Sequence, residues 1–308
     1  MSEVRTDFGP SLKDYSRSDW IAEVTELVED DGSVSRLGKR HMAIFSEHGK
    51  TLLVSFETLQ GIQALSPKAH PMGWKMAETH NWSSLTLVSD GDTWFRNPAV
   101  YAYFDHMVDD GFFDEFDRVL FYGAGSCGYA AAAFSVVAPG ARVVVIQPQA
   151  TLSNEFAEWD QRFTEMRRTD FSDRYGYAPD MLQAAKCAHI IYDPTQTEDA
   201  MHAALFSGPN IVKKRLRHWG SALQTDFLDL RILYDLLEYA NNDLLSPTQF
   251  ADLARMRRLH LPYLKRLLAR LDAEERDYLA RLLCHNVSAR MRAPAFAARL
   301  AELRQEPA

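Results

Sequence analysis

The stretch VLFYGAGSCGYAAAAF, residues 119–134, most constrains the fold, because an apolar strand passes directly into an alanine-rich helix. Only small residues allow the backbone to turn so sharply between two elements. Apolar runs typical of buried strands recur along the chain and alternate with helical segments. They lie near residues 118–122, 141–147, 187–192 and 210–217. This alternation predicts an α/β fold with a mainly parallel sheet that helices cover on both faces.

Upstream, the segment from Arg36 to Phe56 predicts two strands around a His-Gly turn. A further strand is predicted at Ser83–Asp90, and a helix from about Pro98 to Gly111. These elements belong to the same sheet and its helical layers.

Two later segments depart from the alternation. Residues 154–185 are aromatic, charged and poor in strand signals, which predicts a largely helical cap over a substrate site. From Asp226 onward the sequence is helical and rich in leucine. We therefore predict an N-terminal extension at 1–35, an α/β domain at 36–230, and a helical C-terminal region at 231–308.

The composition is that of an ordinary globular protein. Of 308 residues, 46% are hydrophobic and 25% are charged, which excludes disordered, collagen-like and coiled-coil chains. The N-terminal segment is polar, and no stretch has the roughly 18 apolar residues of a membrane span. Three widely separated cysteines, without C-x-x-C spacing, indicate neither disulfides nor a zinc site. The sequence predicts a reduced, cytoplasmic protein with no membrane span.

The net charge of −8 is unevenly distributed. From residue 251 onward there are twelve Lys and Arg against seven Asp and Glu, so this region is near +5 and the remainder near −13. An acidic body argues against binding to nucleic acid. The basic region allows two interpretations, contact with an acidic partner or a solvated helical face.

The glycines of the turn first suggest a nucleotide site. From Gly123 they read G-A-G-S-C-G, which matches the G-x-G-x-x-G of a dinucleotide-binding loop. Such a loop requires an acidic residue at the end of the next strand to bind the ribose hydroxyls, but Gln147 occupies that place. At least three predicted strands precede the loop, and too few follow it to complete a dinucleotide-binding sheet. No nucleotide cofactor is therefore predicted.

The same residues fit the nucleophile elbow of a serine hydrolase better. Around Ser126 they read A-G-S-C-G, with the small residues Ala124 and Gly128 on either side. A serine nucleophile needs a base and an orienting acid, in the chain order Ser, acid, His. Asp193 follows one predicted strand and His218 ends the next. The sequence thus supplies a candidate for each member of a triad.

From about Arg36 to Leu230 the chain resembles the α/β-hydrolase superfamily. The stretch YGAGSCGYAA, followed by VVVIQPQ and YDP, resembles bacterial α/β-hydrolase-like proteins whose elbow usually reads Y-G-x-S-M-G-G-Y-A-A. The resemblance implies that Ser126 is the nucleophile, Asp193 the acid and His218 the base. It also implies an oxyanion hole formed by the backbone N–H of Cys127 and a second N–H near Phe56 or Glu57.

The function implied is a serine esterase, thioesterase or acyl-transfer enzyme that acts on a small or medium acyl substrate, with no metal or organic cofactor. Two departures keep an alternative open. Ala124 replaces the first elbow glycine, and Gly220 is followed by Ser221 where the family often has Gly-His. The alternative is a catalytically silent α/β-hydrolase-like binding protein whose helical C-terminal region docks a protein partner or self-associates.

Overall fold

A computed structural model describes residues 8–305 of the chain. It contains one eight-stranded sheet. In chain order the strands are β1 (Gly32–Leu37), β2 (His41–Ser46), β3 (Thr51–Thr58), β4 (Ser83–Ser89), β5 (Arg118–Ala124), β6 (Arg142–Ile146), β7 (Cys187–Tyr192) and β8 (Ile211–Arg215). Their order across the sheet is β1-β2-β4-β3-β5-β6-β7-β8.

The strand directions complete the topology. β1 pairs with β2 and β2 with β4 in antiparallel fashion, and all other neighbours are parallel. This mainly parallel sheet, flanked by helices and followed along the chain by a helical C-terminal region, confirms the predicted fold class. The sequence predicted two strands before residue 56, but the structure has three. β1 was missed because its partly exposed sequence, GSVSRL, lacks an apolar run.

Helices lie between the strands along the chain and follow the last strand. They are α1 (Arg17–Leu27), α2 (Leu59–Leu65), α3 (Met72–His80), α4 (Pro98–Asp109), α5 (Ser126–Phe134), α6 (Asn154–Ala157), α7 (Ala178–Met181), α8 (Thr197–Leu205), α9 (Leu223–Asp229), α10 (Leu233–Asn241), α11 (Pro247–Arg255), α12 (Leu261–Ala273), α13 (Asp277–Arg290) and α14 (Pro294–Gln305). Short 3₁₀ helices lie at Phe112–Glu115, Ser135–Val137, Thr164–Arg168, Leu182–Ala184 and Met256–Leu259.

A large hydrophobic core on the sheet, called here the first core, forms around α5. Residues 130–133 of this helix are four buried alanines, whose small side chains let the helix axis approach β5 and β6 closely. Beside them, Phe104 and Phe134 stack with ring centroids 4.7 Å apart, and Phe56 stacks on Phe134 at 5.6 Å. Close packing at this helix fixes where the turn before it lies.

A second core includes residues that the sequence assigned to an N-terminal extension. Phe8 and Trp20 are fully buried and pack with Ile44 and Trp74 in one hydrophobic cluster. The rings of Phe8 and Trp74 stack at 4.6 Å, and the Trp20 indole donates to the Ala69 carbonyl at 2.8 Å. Residues from Phe8 onward are therefore an integral part of the α/β unit.

The chain divides into two compact units, residues 1–250 and 251–308, rather than at the predicted boundary of 230 and 231. The second unit is helical as predicted, and a small cluster of Leu271, Ala280 and Leu303 packs inside it. Its role in docking a partner stays a prediction. No helix within residues 8–305 is both long and apolar enough to traverse a bilayer.

The predicted cap, residues 154–185, separates into two halves. Phe163 of the first half lines a cavity described below. Phe171, Tyr175 and Leu182 of the second half are buried in the first core. The expectation that the whole segment is a lid does not hold for residues 171–185, because apolar side chains distributed along this range are buried in the first core.

A charged network fixes the first half of this segment to α8. Arg162 binds Asp160 at 2.8 Å and Asp199 of α8 at 2.7 Å. The buried His202 of α8 binds Asp160 through Nε2 at 2.9 Å and accepts the Ala150 N–H at Nδ1. Because each partner is held by several others, this half is tethered rather than loose.

We predict that Phe171→Ala destabilises the fold by about 3–5 kcal/mol, because it removes a buried ring from the first core. Phe156→Ala in the same segment is the matched control, since that ring is 41% exposed. Its cost should stay near or below about 1 kcal/mol. Urea unfolding of both variants measures the difference, and equal small costs would show that the second half is a removable lid.

Candidate functional site

The turn between β5 and α5 is made by a single residue. β5 ends at Ala124 and α5 begins at Ser126, and Gly125 between them has φ +58° and ψ −125°. Residues with a Cβ rarely adopt this backbone conformation, which costs of the order of 1–3 kcal/mol where it occurs. The Gly125 N–H still donates to Ile146 of β6 at 2.9 Å. Gly125 is therefore the apex of the elbow.

Contacts between the residues on either side of the turn also place its centre at Gly125. A Cβ at Gly123 would overlap the backbone carbonyl of Cys127 and lie 2.8 Å from the Gly128 nitrogen. This close approach joins positions two residues before and two residues after Gly125. It is the crossing of strand and helix for which an elbow requires small residues.

The predicted elbow is therefore displaced by one residue. Tyr122–Ala131 matches Y-G-x-S-M-G-G-Y-A-A without a gap, and Gly125 then falls on the serine of the pattern and Ser126 on the methionine. The sequence prediction centred the turn on Ser126 because Ala124 and Gly128 also satisfy the rule of small neighbours. The flanking Tyr122 and Tyr129 were the signal that could have fixed the register.

A large cavity, called here the main cavity, opens at this turn and has a volume of about 1100 Å³. Apolar side chains form much of its wall: Phe56, Ile62, Leu65, Met72, Trp74, Trp94 and Phe163. Charged side chains also line it: Glu57, Glu78, Asp92, Asp229, Asp235, Lys68, Lys75 and Arg231. A cavity of this size, in which apolar walls are combined with charged groups, can hold a small organic molecule.

A side cavity of about 280 Å³ adjoins the main one. The two share Ala124, Gly125, Gln149 and Gln224, while Arg162, Asp199 and Ser221 line the side cavity alone. A Cβ added to Gly125 would meet no atom within 4 Å. A side chain at residue 125, where an elbow carries its nucleophile, would therefore extend into open space where the two cavities meet.

Ser126 lies one residue beyond the apex and lines the main cavity. Its Oγ donates a hydrogen bond to Asp92 Oδ1 at 2.8 Å. Sequence reasoning missed Asp92, although its position just after β4 was a signal, because side chains that follow parallel strands gather at one edge of the sheet. The predicted partner of Ser126, His218, lines neither cavity.

Cys127 is buried in the first turn of α5. Burial raises the pKa of its thiol, and the negative charges of Asp92 and Glu57 raise it further. The thiol therefore stays protonated at neutral pH and is a poor nucleophile. With Gly125 at the apex, the first N–H of the helix belongs to Ser126, so the oxyanion donor expected at Cys127 moves back by one residue.

The predicted acid and base are not brought together. Asp193 is fully buried and accepts hydrogen bonds from Thr195 N at 2.8 Å, Thr195 Oγ1 at 2.7 Å and Gly220 N at 2.7 Å. His218 is not among the contacts of Asp193 and has a left-handed backbone, with φ +68°. Asp193 instead holds the backbone directly before Ser221, the residue at the family's histidine position.

Phe56 and Glu57 were expected in a loop that supplies the second oxyanion N–H. Both lie inside β3, paired with Leu87 and Val88 of β4. The Phe56 ring is buried in the first core, whereas the Glu57 carboxylate reaches the main cavity. Their backbone is therefore part of the sheet rather than of an oxyanion loop.

Glu57 is the most perturbed carboxyl group of the main cavity. Burial raises its pKa from 4.5 to about 7, although hydrogen bonds from Met72 N and Ser55 Oγ, both 3.0 Å long, oppose the shift. A carboxyl group with such a pKa at a cavity wall is a candidate functional group. Among the described residues, no group of three or more His, Cys, Asp and Glu side chains is arranged to hold a metal ion.

Comparison with known proteins gives structural neighbours only. No protein-family model matches the chain, and no curated protein matches it. The fold is similar to the thermophilic carboxylesterase EstE1 from a metagenomic library, with 15% identity, 75% of this chain and 98% of the other covered, and a TM-score of 0.43. It is also similar to Est1E from Butyrivibrio proteoclasticus, with 11% identity, coverage of 70% and 98%, and a TM-score of 0.44.

Gly123→Ala should unfold or severely destabilise the protein, by roughly 3 kcal/mol or more, because its Cβ would overlap backbone that cannot move aside. Gly140→Ala is the control, since its Cβ would meet nothing within 4 Å. Only the cost of its positive φ, about 1 kcal/mol, is expected there. Denaturant unfolding compares the two, and a mild effect at Gly123 would contradict the crossing described above.

Glu57 should make stability fall as pH rises. Its pKa is higher in the folded state, about 7, than the ordinary 4.5, so ionisation between these values disfavours the fold. Glu57→Gln should match the wild type near pH 5 and exceed it at pH 8 by about 1–3 kcal/mol, reduced because the cavity admits water. Urea unfolding at both pH values tests this, and a difference independent of pH would refute it.

Proposed function

We propose that the chain binds a small organic molecule in the main cavity and does not hydrolyse it through a Ser-His-Asp triad. One observation carries the proposal: the apex of the elbow is Gly125, which has no side chain. In a hydrolase of this fold, the apex residue supplies the attacking oxygen. A glycine there leaves a binding cavity without its nucleophile.

The arrangement around Asp193 supports the same proposal. A triad needs the acid to orient an imidazole so that its second nitrogen can take the proton of the nucleophile. Here the carboxylate of Asp193 is occupied by Thr195 and by the backbone of Gly220. Ser221 follows, and a hydroxyl group has no basicity near neutral pH that could replace an imidazole.

Binding, in contrast, needs only what the site retains. The main cavity has apolar walls that can pack against a ligand and charged groups that can orient it. The first N–H groups of α5 point along the helix axis at the same place and favour a hydrogen-bond acceptor. These features support recognition of a small molecule without chemical change.

The second candidate is hydrolysis or acyl transfer by Ser126, and its hydrogen bond to Asp92 favours it. In this scheme Ser126 Oγ attacks the acyl carbon of an ester or thioester, and its proton passes to Asp92. The C–O or C–S bond then breaks, and Asp92 returns the proton to the departing alcohol or thiol. Water or an acyl acceptor next attacks the acyl-serine in the same way and regenerates Ser126. Tetrahedral charge is stabilised by N–H groups at the start of α5. A carboxylate is a weaker base toward a serine hydroxyl than an imidazole, so this reaction would be slow.

Reaction with a fluorophosphonate probe separates the two candidates. We expect the folded wild-type protein to remain unlabelled, because no activated serine lies in either cavity, with labelling read by mass spectrometry of the peptides. Labelling that maps to Ser126 and disappears in Ser126→Ala and Asp92→Asn would establish the second candidate and exclude the first.

A second experiment tests whether the missing apex serine and the missing histidine account for the expected absence of triad hydrolysis. The double variant Gly125→Ser with Ser221→His places a serine at the apex and a histidine beside the Gly220 N–H that Asp193 holds. We expect labelling at residue 125 and ester hydrolysis at least about tenfold above the wild type, and neither in the single variants, because a triad acts as one unit. Labelling of Gly125→Ser alone to the same extent would contradict the role given to Ser221.

A further inference from the structure

Two carboxylates of the main cavity lack a positive partner. Glu57 accepts hydrogen bonds from Ser55 and Met72, and Asp92 accepts one from Ser126, and all three donors are neutral. Within residues 8–305, no ion pair involves either carboxylate. Asp92 is exposed to solvent, whereas Glu57 is partly buried and its charge is less well solvated. A cation that entered the cavity would therefore gain free energy mainly by pairing with Glu57.

The groups that face Glu57 supply no such cation. Tyr122 of β5, Cys127 of α5 and Tyr234 of α10 lie close enough for its charge to act on them. Burial, followed by the charges of Glu57 and Glu78, raises the pKa of Tyr234 to about 12, so this hydroxyl stays neutral. The region around Glu57 is therefore negative when Glu57 is ionised.

The positive side chain that α3 contributes to the cavity already has a negative partner. Lys75 lines the cavity, but its Nζ pairs with Glu78 Oε2 at 3.2 Å. The cavity also contains Lys68 and Arg231, balanced by Asp229 and Asp235. Taken together, the charged residues that line the main cavity carry an excess of negative charge, and Glu57 is its most enclosed member.

Apolar and aromatic groups define the rest of the ligand. Ile62, Leu65 and Met72 form an apolar wall that suits a hydrocarbon or aromatic substituent. Trp74 also lines the cavity, is 1% exposed, and its indole Nε1 makes no hydrogen bond with another described residue. A buried N–H without an acceptor is rare in folded proteins, and the face of an aromatic ring in the ligand can accept a weak hydrogen bond from it.

We propose that the main cavity binds a protonated organic amine, whose ammonium group pairs with Glu57 and whose apolar part lies against Ile62, Leu65 and Met72. Asp92, which already accepts a hydrogen bond from Ser126, contributes a second negative charge at the elbow. This inference rests on the proposed binding function and adds the chemical class of the ligand.

The pH dependence of binding follows from the state of Glu57. Below about pH 7 the carboxyl group holds a proton, which an ammonium ligand must displace. Affinity should therefore rise by up to about tenfold per pH unit from pH 5 toward pH 7 and then level off, because the amine stays charged throughout. A ligand that instead accepted a hydrogen bond from neutral Glu57 would show the opposite trend.

The experiment titrates full-length protein with three probes of similar size and different charge: 2-phenylethylamine, 2-phenylethanol and 3-phenylpropionate. Isothermal titration calorimetry at pH 5, 6, 7 and 8 measures each affinity. At pH 8 we expect the amine to bind at least about tenfold more tightly than the alcohol, and the carboxylate to bind most weakly. Glu57→Gln should lose about tenfold in amine affinity and remove the pH dependence.

Glu155→Gln is the matched control, because Glu155 is exposed and lines neither cavity, and its amine affinity should change by less than about threefold. If Glu57→Gln does not fold, the pH dependence of amine affinity in the wild-type protein is sufficient to test the inference. Equal affinity for amine and alcohol, or no amine binding up to about 10 mM, would overturn the inference. Binding of the alcohol alone would leave the proposed binding function standing, whereas fluorophosphonate labelling of Ser126 would remove that function itself.

Discussion

The contact between Gly123 and the Cys127 carbonyl is the constraint on which the site depends. β5 and α5 can cross this closely only because position 123 has no Cβ, and the crossing forces the backbone at residue 125 into a conformation with positive φ. The alanines of α5 then seat the helix against the sheet. Everything that faces the main cavity at this edge, from Ser126 to Asp92, takes its position from that crossing.

The sheet could be predicted from the sequence because its strands are buried on both faces and appear as continuous apolar runs. β5, β6 and β7 were located to within about two residues. β1 escaped because an edge strand is half exposed and carries polar residues. The burial of Phe8 and Trp20 was missed for a different reason. They belong to the core through contacts with Ile44 and Trp74, which are distant in sequence and leave no local pattern.

The candidate site was predictable in outline but not in register. The string from Gly123 to Gly128 contains enough small residues to form an elbow around either residue 125 or residue 126, and composition cannot distinguish the two. Only the backbone contacts choose between them. That Asp92 and Glu57 line the cavity could not be predicted from the sequence. The cavity is assembled from β3, the segment after β4, α3 and α5, and no local sequence pattern indicates that these elements meet.

The glycine at the apex also bears on how readily such a chain could regain catalysis. Replacing Gly125 with any residue that has a Cβ introduces backbone strain of the order of 1–3 kcal/mol. That is a substantial share of a stability that is typically only about 5–15 kcal/mol. A serine at residue 125 alone would thus lower stability without a base to activate it. Catalysis would need a second substitution that supplies the base. Under the proposed binding function, two substitutions separated by a less stable intermediate would therefore be needed before catalysis gave any advantage.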